Sequence, residues 1–266
     1  MTVSLIDRAD RNLALHSGWI QRQLPGMTCR DDLGLQLADS GLPCDTFNIV
    51  CHTRLTQDLV PGGIVSILEH FGAAGRPFSW WCGPGDQPRD LDRFLTDAGL
   101  AADESEVAMA ANLDFLSAEA ASPDPTIRIA RVRTADDLER FAGLLAANWD
   151  PPDQSVLVFY RAAADLLLTP DCPIRLYLAW SHEQAVGTAE VTVGGGVAGL
   201  YNLATATAHR GRGIGSLLVT RPLMEARMDG IDTGILQAAS GAQSLYQRLG
   251  FRSFGSYTEY KLSPRA

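Results

Sequence analysis

From residue 127 to residue 262 the apolar and polar positions follow two periods in turn. Period two runs through IRIARV, IRLYLAWS, AVGTAEVTV, GVAGLYNLAT, TGILQAAS and RSFGSYTEYKL, and each of these predicts a strand. A period near 3.6 runs through TADDLERFAGLLAANW, DQSVLVFYRAAADLLL, IGSLLVTRPLMEARM and GAQSLYQRLG, and each of these predicts a helix. Thr134 stands as N-cap of the first with Asp137 three residues on, and Pro151–Pro152 punctuates the chain before the second. Pro222 falls inside the third helix, where it removes a donor and crowds the carbonyl of Leu218, so a kink or bulge is expected there. The order is β-α-α-β-β-β-α-β-α-β. It predicts an α/β class domain, an α+β mixed sheet with helices on both faces.

The first half is less regular. LGLQLADSG and DTFNIVCHTRL read as strands, GGIVSILEHFGAAG as a helix, PFSWWCG as a strand, QPRDLDRFLTDAG as a helix and EVAMAANLDFL as a strand. The closing β-α-β-α-β repeats the close of the second half, and LTDAGL resembles YQRLGF, which points to an internal duplication. SAEAASPDPTIRI, residues 117–129, reads as a linker. The expected domains are therefore 1–120 and 127–266, each of ordinary size.

Composition narrows the class. The chain has 266 residues, 46% apolar and 20% charged, with a net charge of −9. A core is expected, and a general nucleic-acid binder is disfavoured because it would carry a basic face. The five cysteines are scattered with no CxxC pair, so neither a disulfide framework nor a zinc site is expected. His16, His52, His70, His182 and His209 show no ligand spacing, and no metal is expected. No apolar run is long enough to span a membrane and no signal peptide is legible, so the reading is a cytoplasmic protein without membrane partners. The oligomeric state stays open, a homodimer included.

One loop carries chemistry. AHRGRGIGSLL, residues 208–218, comes after a strand and opens a helix, and its glycines fall at 211, 213 and 215. A helix start offers unpaired N–H groups, and glycines let an anion approach them. A dinucleotide fingerprint would need a third glycine where Ser216 stands, and a Walker A loop would need a lysine, which is absent. What remains is Arg210-x-x-Gly213-x-Gly215. By itself this leaves an anion site or a plain glycine-rich turn.

Some 30 residues later stands SLYQRLGF, residues 244–251. With both motifs in order, residues 127–262 resemble the GNAT superfamily of acyl-CoA-dependent N-acyltransferases. The resemblance implies a GNAT fold in the C-terminal half and acetyl-CoA as co-substrate. It implies that the pyrophosphate lies on Arg210, Gly211, Arg212, Gly213, Ile214, Gly215 and Ser216, with a solvated side chain as the alternative for Arg212. It implies that pantetheine pairs with Leu203, Ala204 and Thr205 and passes near Ser240, which could equally be a plain strand-end polar residue. Tyr246 falls at the family's general acid, with packing as its blander role. The family's base is a glutamate early on the fourth strand, where this chain has Gly199 and Leu200; Glu190 on the preceding strand is the substitute candidate, with a solvent-facing acid or base catalysis through water as alternatives. Tyr201 and Asn202 are expected on opposite faces, one of them toward the acceptor.

The first half lacks both motifs. Its parallel to the loop, DLVPGGIV, has no arginine, so the expectation is a degenerate GNAT-like domain that does not bind CoA and covers the acceptor cleft. Trp80, Trp81 and Trp149 are candidates to line that cleft or to pack the core. The implied activity is transfer of an acetyl or other acyl group to a small-molecule amine. Its rivals are a catalytically silent CoA-binding or interaction module and a transferase with another acyl donor.

Overall fold

A computed structural model describes residues 3–116 and 124–263. Residues 117–123, the first seven of the expected linker, lie outside the described residues. The chain divides into two compact units: residues 1–108 with 254–266, and residues 109–253.

The first unit opens with α1 (Leu5–Gly18), started by Ser4, whose hydroxyl accepts the Asp7 N–H at 3.1 Å. Then come β1 (Thr28–Arg30), β2 (Gln36–Asp39), β3 (Ile49–Cys51), α2 (Val60–Ala74), β4 (Ser79–Cys82), α3 (Leu91–Asp97) and β5 (Leu100–Asn112), of which residues 109–112 count with the second unit. α2 ends at Gly75, whose φ of +62° suits a residue without a side chain. β1, β2 and β3 are antiparallel, whereas β3 and β4 are parallel and joined by α2. The core of this unit packs Ile64, Ile67 and Phe71 of α2 against Leu37, Val50 and Trp80. Trp80 is fully buried and donates its indole N–H to Thr53 Oγ1 at 3.2 Å, so it is a packing residue. Trp81 is half-buried.

The second unit runs β6 (Ile127–Arg131), α4 (Ala135–Ala146), α5 (Gln154–Ala162), α6 (Ala164–Leu167), β7 (Ile174–Ser181), β8 (Gln184–Gly194), β9 (Val197–Thr205), α7 (Ile214–Met228), β10 (Thr233–Ala238) and α8 (Gln243–Arg248). Thr134 caps α4 by accepting the Asp137 N–H, as its spacing predicts. The single helix expected over residues 153–168 is split into α5 and α6 at Ala163. α7 runs from 214 to 228 with Pro222 buried inside it. The strand order is β10-β9-β8-β7-β6, with only β9 and β10 parallel. Residues 186–192 of β8 are all buried, as in a strand covered on both faces.

The last strand, β11 (Arg252–Leu262), departs from the expected division at 127–266. From Phe254 on it clusters with the first unit, because Thr258 to Lys261 pair antiparallel with Cys82 to Ser79 of β4. Ser79 donates its hydroxyl to Glu259 at 2.5 Å along that seam.

Candidate functional site

The site is built where β9 leaves β10. The two strands pair in register from Ala198/Gly234 to Leu200/Leu236. Beyond Leu200, β9 stays on β8 as far as Thr205. The burial of β9 changes at the same point: residues 197–200 are buried and residues 201–205 are half-buried. A notch therefore opens along Tyr201–Thr205, whose outer backbone edge faces it.

A β-bulge sets the notch. Glu190 pairs with Tyr201 and Thr188 with Ala204, so three steps on β9 answer two on β8. The extra residue is absorbed at Asn202, with φ +50°, a conformation asparagine tolerates better than most residues. Thr188 Oγ1 donates to the Asn202 carbonyl at 2.9 Å. Strict alternation of Tyr201 and Asn202 is thus replaced. The bulge turns the Asn202 amide onto Glu190 Oε2 at 3.0 Å and onto the Tyr160 hydroxyl at 3.2 Å, and Tyr160 donates to the same Oε2 at 2.9 Å. Glu190 is 2% exposed, so it is not a solvent-facing acid. Burial and the adjacent Glu190 charge push the Tyr160 phenol well above its ordinary value, which keeps it protonated and donating.

At the end of β9 stands the glycine loop. Gly211 and Gly213 have φ of +76° and +75°, which side chains disfavour, and the place of a Gly211 Cβ is open space. Gly213 is the N-cap of α7 and no side chain caps that helix, so its first-turn N–H groups point outward. Arg210 is exposed and donates Nε to the Thr205 carbonyl at 3.0 Å, holding it at the notch. Arg212 is half-buried and ion-paired with Asp124, so its side chain has a partner inside the protein. A cavity of about 310 Å³ is lined by Leu144, Asn148, Gly187, Ala204, Thr205 and Arg210, with further residues of the same segments. Gly187 is required there, since a Cβ would sit 2.8 Å from the Ala204 carbonyl.

Tyr246 lies on α8, 5% exposed, with its ring edge-on to Phe251 at 6.0 Å. Ser240 is exposed in the turn after β10. Trp149 is 43% exposed, next to the cavity residue Asn148. Tyr160 and the bulge at Asn202 are features of this site that the residue pattern alone does not assign. Among the described residues no cluster of histidine, cysteine or acid could hold a metal ion, and none of the five cysteines forms a disulfide. No helix among the described residues is long and apolar enough to cross a membrane.

Residues 173–253, which hold the bulge, the glycine loop and Tyr246, match the family model of the acetyltransferase (GNAT) domain. This segment is a GNAT domain. No curated protein matches the sequence. Solved structures share the fold of the chain. A GCN5-related N-acetyltransferase from Kribbella flavida is 17% identical, with a TM-score of 0.72 over 99% of this chain and 98% of that one. A functionally unknown conserved protein from Staphylococcus epidermidis is 16% identical, with a TM-score of 0.65 over 88% and 93%. A tandem GNAT protein from the clavulanic acid biosynthesis pathway is 14% identical, with a TM-score of 0.59 over 87% and 79%. At such identities the likeness is one of fold.

The first unit repeats the notch of the GNAT domain and closes it. Gln36 pairs with Cys51 as Glu190 pairs with Tyr201, and the Arg54 N–H then bonds the Gly34 carbonyl at 2.7 Å, again three steps against two. His52 has φ +54° at the place of Asn202. Here the edge beyond the bulge is filled by the loop after β4. Gln87 donates its N–H to the Thr53 carbonyl at 3.0 Å and accepts the Leu55 N–H at 3.2 Å. Asp86 accepts the Thr53 N–H at 2.8 Å and the Gly83 N–H at 2.8 Å. Arg54 locks the loop, donating to Asp86 at 3.0 Å and to buried Asp10 at 2.7 Å. Gly85 must be glycine, because a Cβ there would lie 2.1 Å from Asp10 Oδ2.

Proposed function

We propose that the second unit is an N-acyltransferase that moves an acetyl group from acetyl-CoA to the amine of a small molecule. The observation that carries this reading is the open edge of β9 beyond its bulge, leading into a glycine loop and an uncapped helix start. The chain's features fit such a donor: a backbone edge for an amide-bearing arm, and first-turn N–H groups with Arg210 for a diphosphate. When bound, acetyl-CoA supplies an activated thioester. In this reading Leu203, Ala204 and Thr205 hold the pantetheine arm, and residues Arg210 to Ser216 hold the pyrophosphate through their N–H groups. Arg212 contributes its backbone, since its side chain is engaged by Asp124. Ser240 borders the arm from the turn after β10. Glu190 takes a proton from the acceptor's ammonium through water, which its burial requires. With both substrates bound, the amine nitrogen would form its bond to the carbonyl carbon as the bond to sulfur breaks, Tyr246 would give its proton to the leaving sulfur, and the proton released by the new amide nitrogen would return through water to the Tyr246 oxygen.

The first unit takes no donor in this reading, because Asp86 and Gln87 already occupy the backbone groups an arm would need. One donor per chain is the consequence. The reaction and the cysteines, none of them in a disulfide, fit a cytoplasmic setting, and the net charge of −9 fits a partner other than nucleic acid.

The test is calorimetric titration with acetyl-CoA, and then free-thiol release with spermidine, glucosamine, kanamycin and amino acids. One equivalent should bind, and at least one amine should release thiol. Gly213→Glu should abolish binding by placing a strained, charged side chain at the N-cap. Absence of binding by the wild type overturns the donor. Binding without thiol release for any amine would favour the silent module, and release only with a longer acyl-CoA would favour another donor.

A further inference from the structure

The duplicated bulge supplies an internal control for the buried acid. Gln36 and Glu190 hold the same register position in their units. Both are buried, and both tie their strand to a helix. Gln36 does so as a neutral group, donating Nε2 to the Ala14 carbonyl at 2.7 Å and to Ser17 Oγ at 3.1 Å on α1. Glu190 does so as an acceptor, through the Tyr160 hydroxyl on α5. The fold thus accepts an amide at this position. A buried carboxylate costs more to hold than an amide unless it is well partnered, and the second unit keeps the costlier group together with two donors aimed at one of its oxygens.

We propose that Tyr160 and Asn202 are positioning residues that clamp Glu190 Oε2 and hold the carboxylate ionised, so that it can take the acceptor's proton. This rests on the acyltransferase reading. The bulge is what makes the clamp: without the extra residue on β9, the Asn202 amide would not reach across to Oε2. The groups facing Glu190 include Tyr160 from α5, Tyr201 and Asn202 from β9, and the buried Cys172 ahead of β7, whose thiol is raised to about 11 by burial and in part by the Glu190 charge. The phenol and thiol stay neutral through the working range and Asn202 does not titrate, so Tyr160 and Asn202 favour the charged acid through the hydrogen bonds they donate.

The experiment is a carbon-13 titration of the glutamate carboxyls in the full chain, with the Glu190→Gln spectrum assigning the resonance. Tyr160→Phe removes one donor. Asn202→Gly removes the other and keeps the left-handed backbone. Each should move the Glu190 titration upward by about one pH unit, the size of losing one hydrogen bond to a charged group. The acidic limb of thiol release should move with it, while acetyl-CoA affinity stays within about twofold. A merely structural role would lower thermal stability and leave the midpoint in place. An unmoved midpoint in both variants, with Glu190→Gln inactive, overturns the clamp alone. Wild-type thiol release by Glu190→Gln at every pH overturns the base role, and the clamp's purpose with it.

Discussion

Replacing Asp86 tests whether the first unit is sealed by its own loop. Its carboxylate accepts the N–H of Thr53, which is fully buried, the N–H of Gly83, which is half-buried, and one arm of Arg54. In Asp86→Ala both N–H groups lose their acceptor. Arg54 keeps Asp10 and the Thr53 carbonyl. A buried donor left unsatisfied costs about 1–3 kcal/mol, so two cost about 2–6 kcal/mol. At about 4 °C per kcal/mol for a unit of this size, the first unit should melt roughly 10–20 °C lower. Asp86→Asn separates the two bonds. Its amide oxygen can serve Thr53 and Arg54, but its NH₂ then faces the Gly83 N–H, so about 1–3 kcal/mol is lost. Differential scanning calorimetry reads both variants, and acetyl-CoA titration should still give one equivalent, because no glycine–arginine loop precedes α2. Equal melting of Asp86→Ala and wild type would refute the seal. So would an alanine variant no less stable than the asparagine one.

Tyr246→Phe should lower thiol release about 100-fold, the usual scale for losing a positioned acid, and leave the acetyl-CoA melting shift intact; unchanged turnover would remove Tyr246 from the reaction. Glu106 on β5 has its carboxyl pushed up to about 7 by burial and by the charges of Glu104 and Glu259. Between its ordinary value near 4.5 and 7 the folded chain binds a proton that the unfolded chain releases. Its contribution to stability is therefore full below about 4.5 and is lost as pH rises through 7. Glu106→Gln should melt a few degrees above wild type at pH 8 and close to it at pH 4.5, and a gain at the acid end instead would contradict this sign.

The legible parts of the chain are those shaped by local forces. The helix 214–228 was readable to the residue because a glycine loop fixes its start and an apolar stripe fixes its length. Thr134 and Asp137 announced α4 because a cap is a contact over three residues. Ser4 and Asp7 mark α1 in the same way, but periodicity does not announce it, since its apolar stripe is broken by Asp10 and Asn12, which are both buried. The place of β11 was not legible either. Its alternation predicts a strand, yet alternation names no neighbour, and its pairing with β4 is a contact between residues some 180 positions apart.

The site divides along the same line. The glycine loop at Gly211 and Gly213 and the helix start after it are legible because they are built from consecutive residues. The bonds of Tyr160 and Asn202 to Glu190 are not, because α5, β8 and β9 each give one side chain to them. One local signal did exist. Asparagine is disfavoured in strands and favoured at positive φ, so Asn202 inside an otherwise apolar strand marked the bulge. His52 in DTFNIVCHTRL carried the same mark in the first half. Two polar residues that tolerate a left-handed backbone, each placed where a parallel pair parts, together locate both notches. The segment after the next strand then decides which notch is open: a loop carrying Gly83, Gly85 and Asp86 can fold back onto the bulged strand, whereas the short turn at Ser240 leaves it clear.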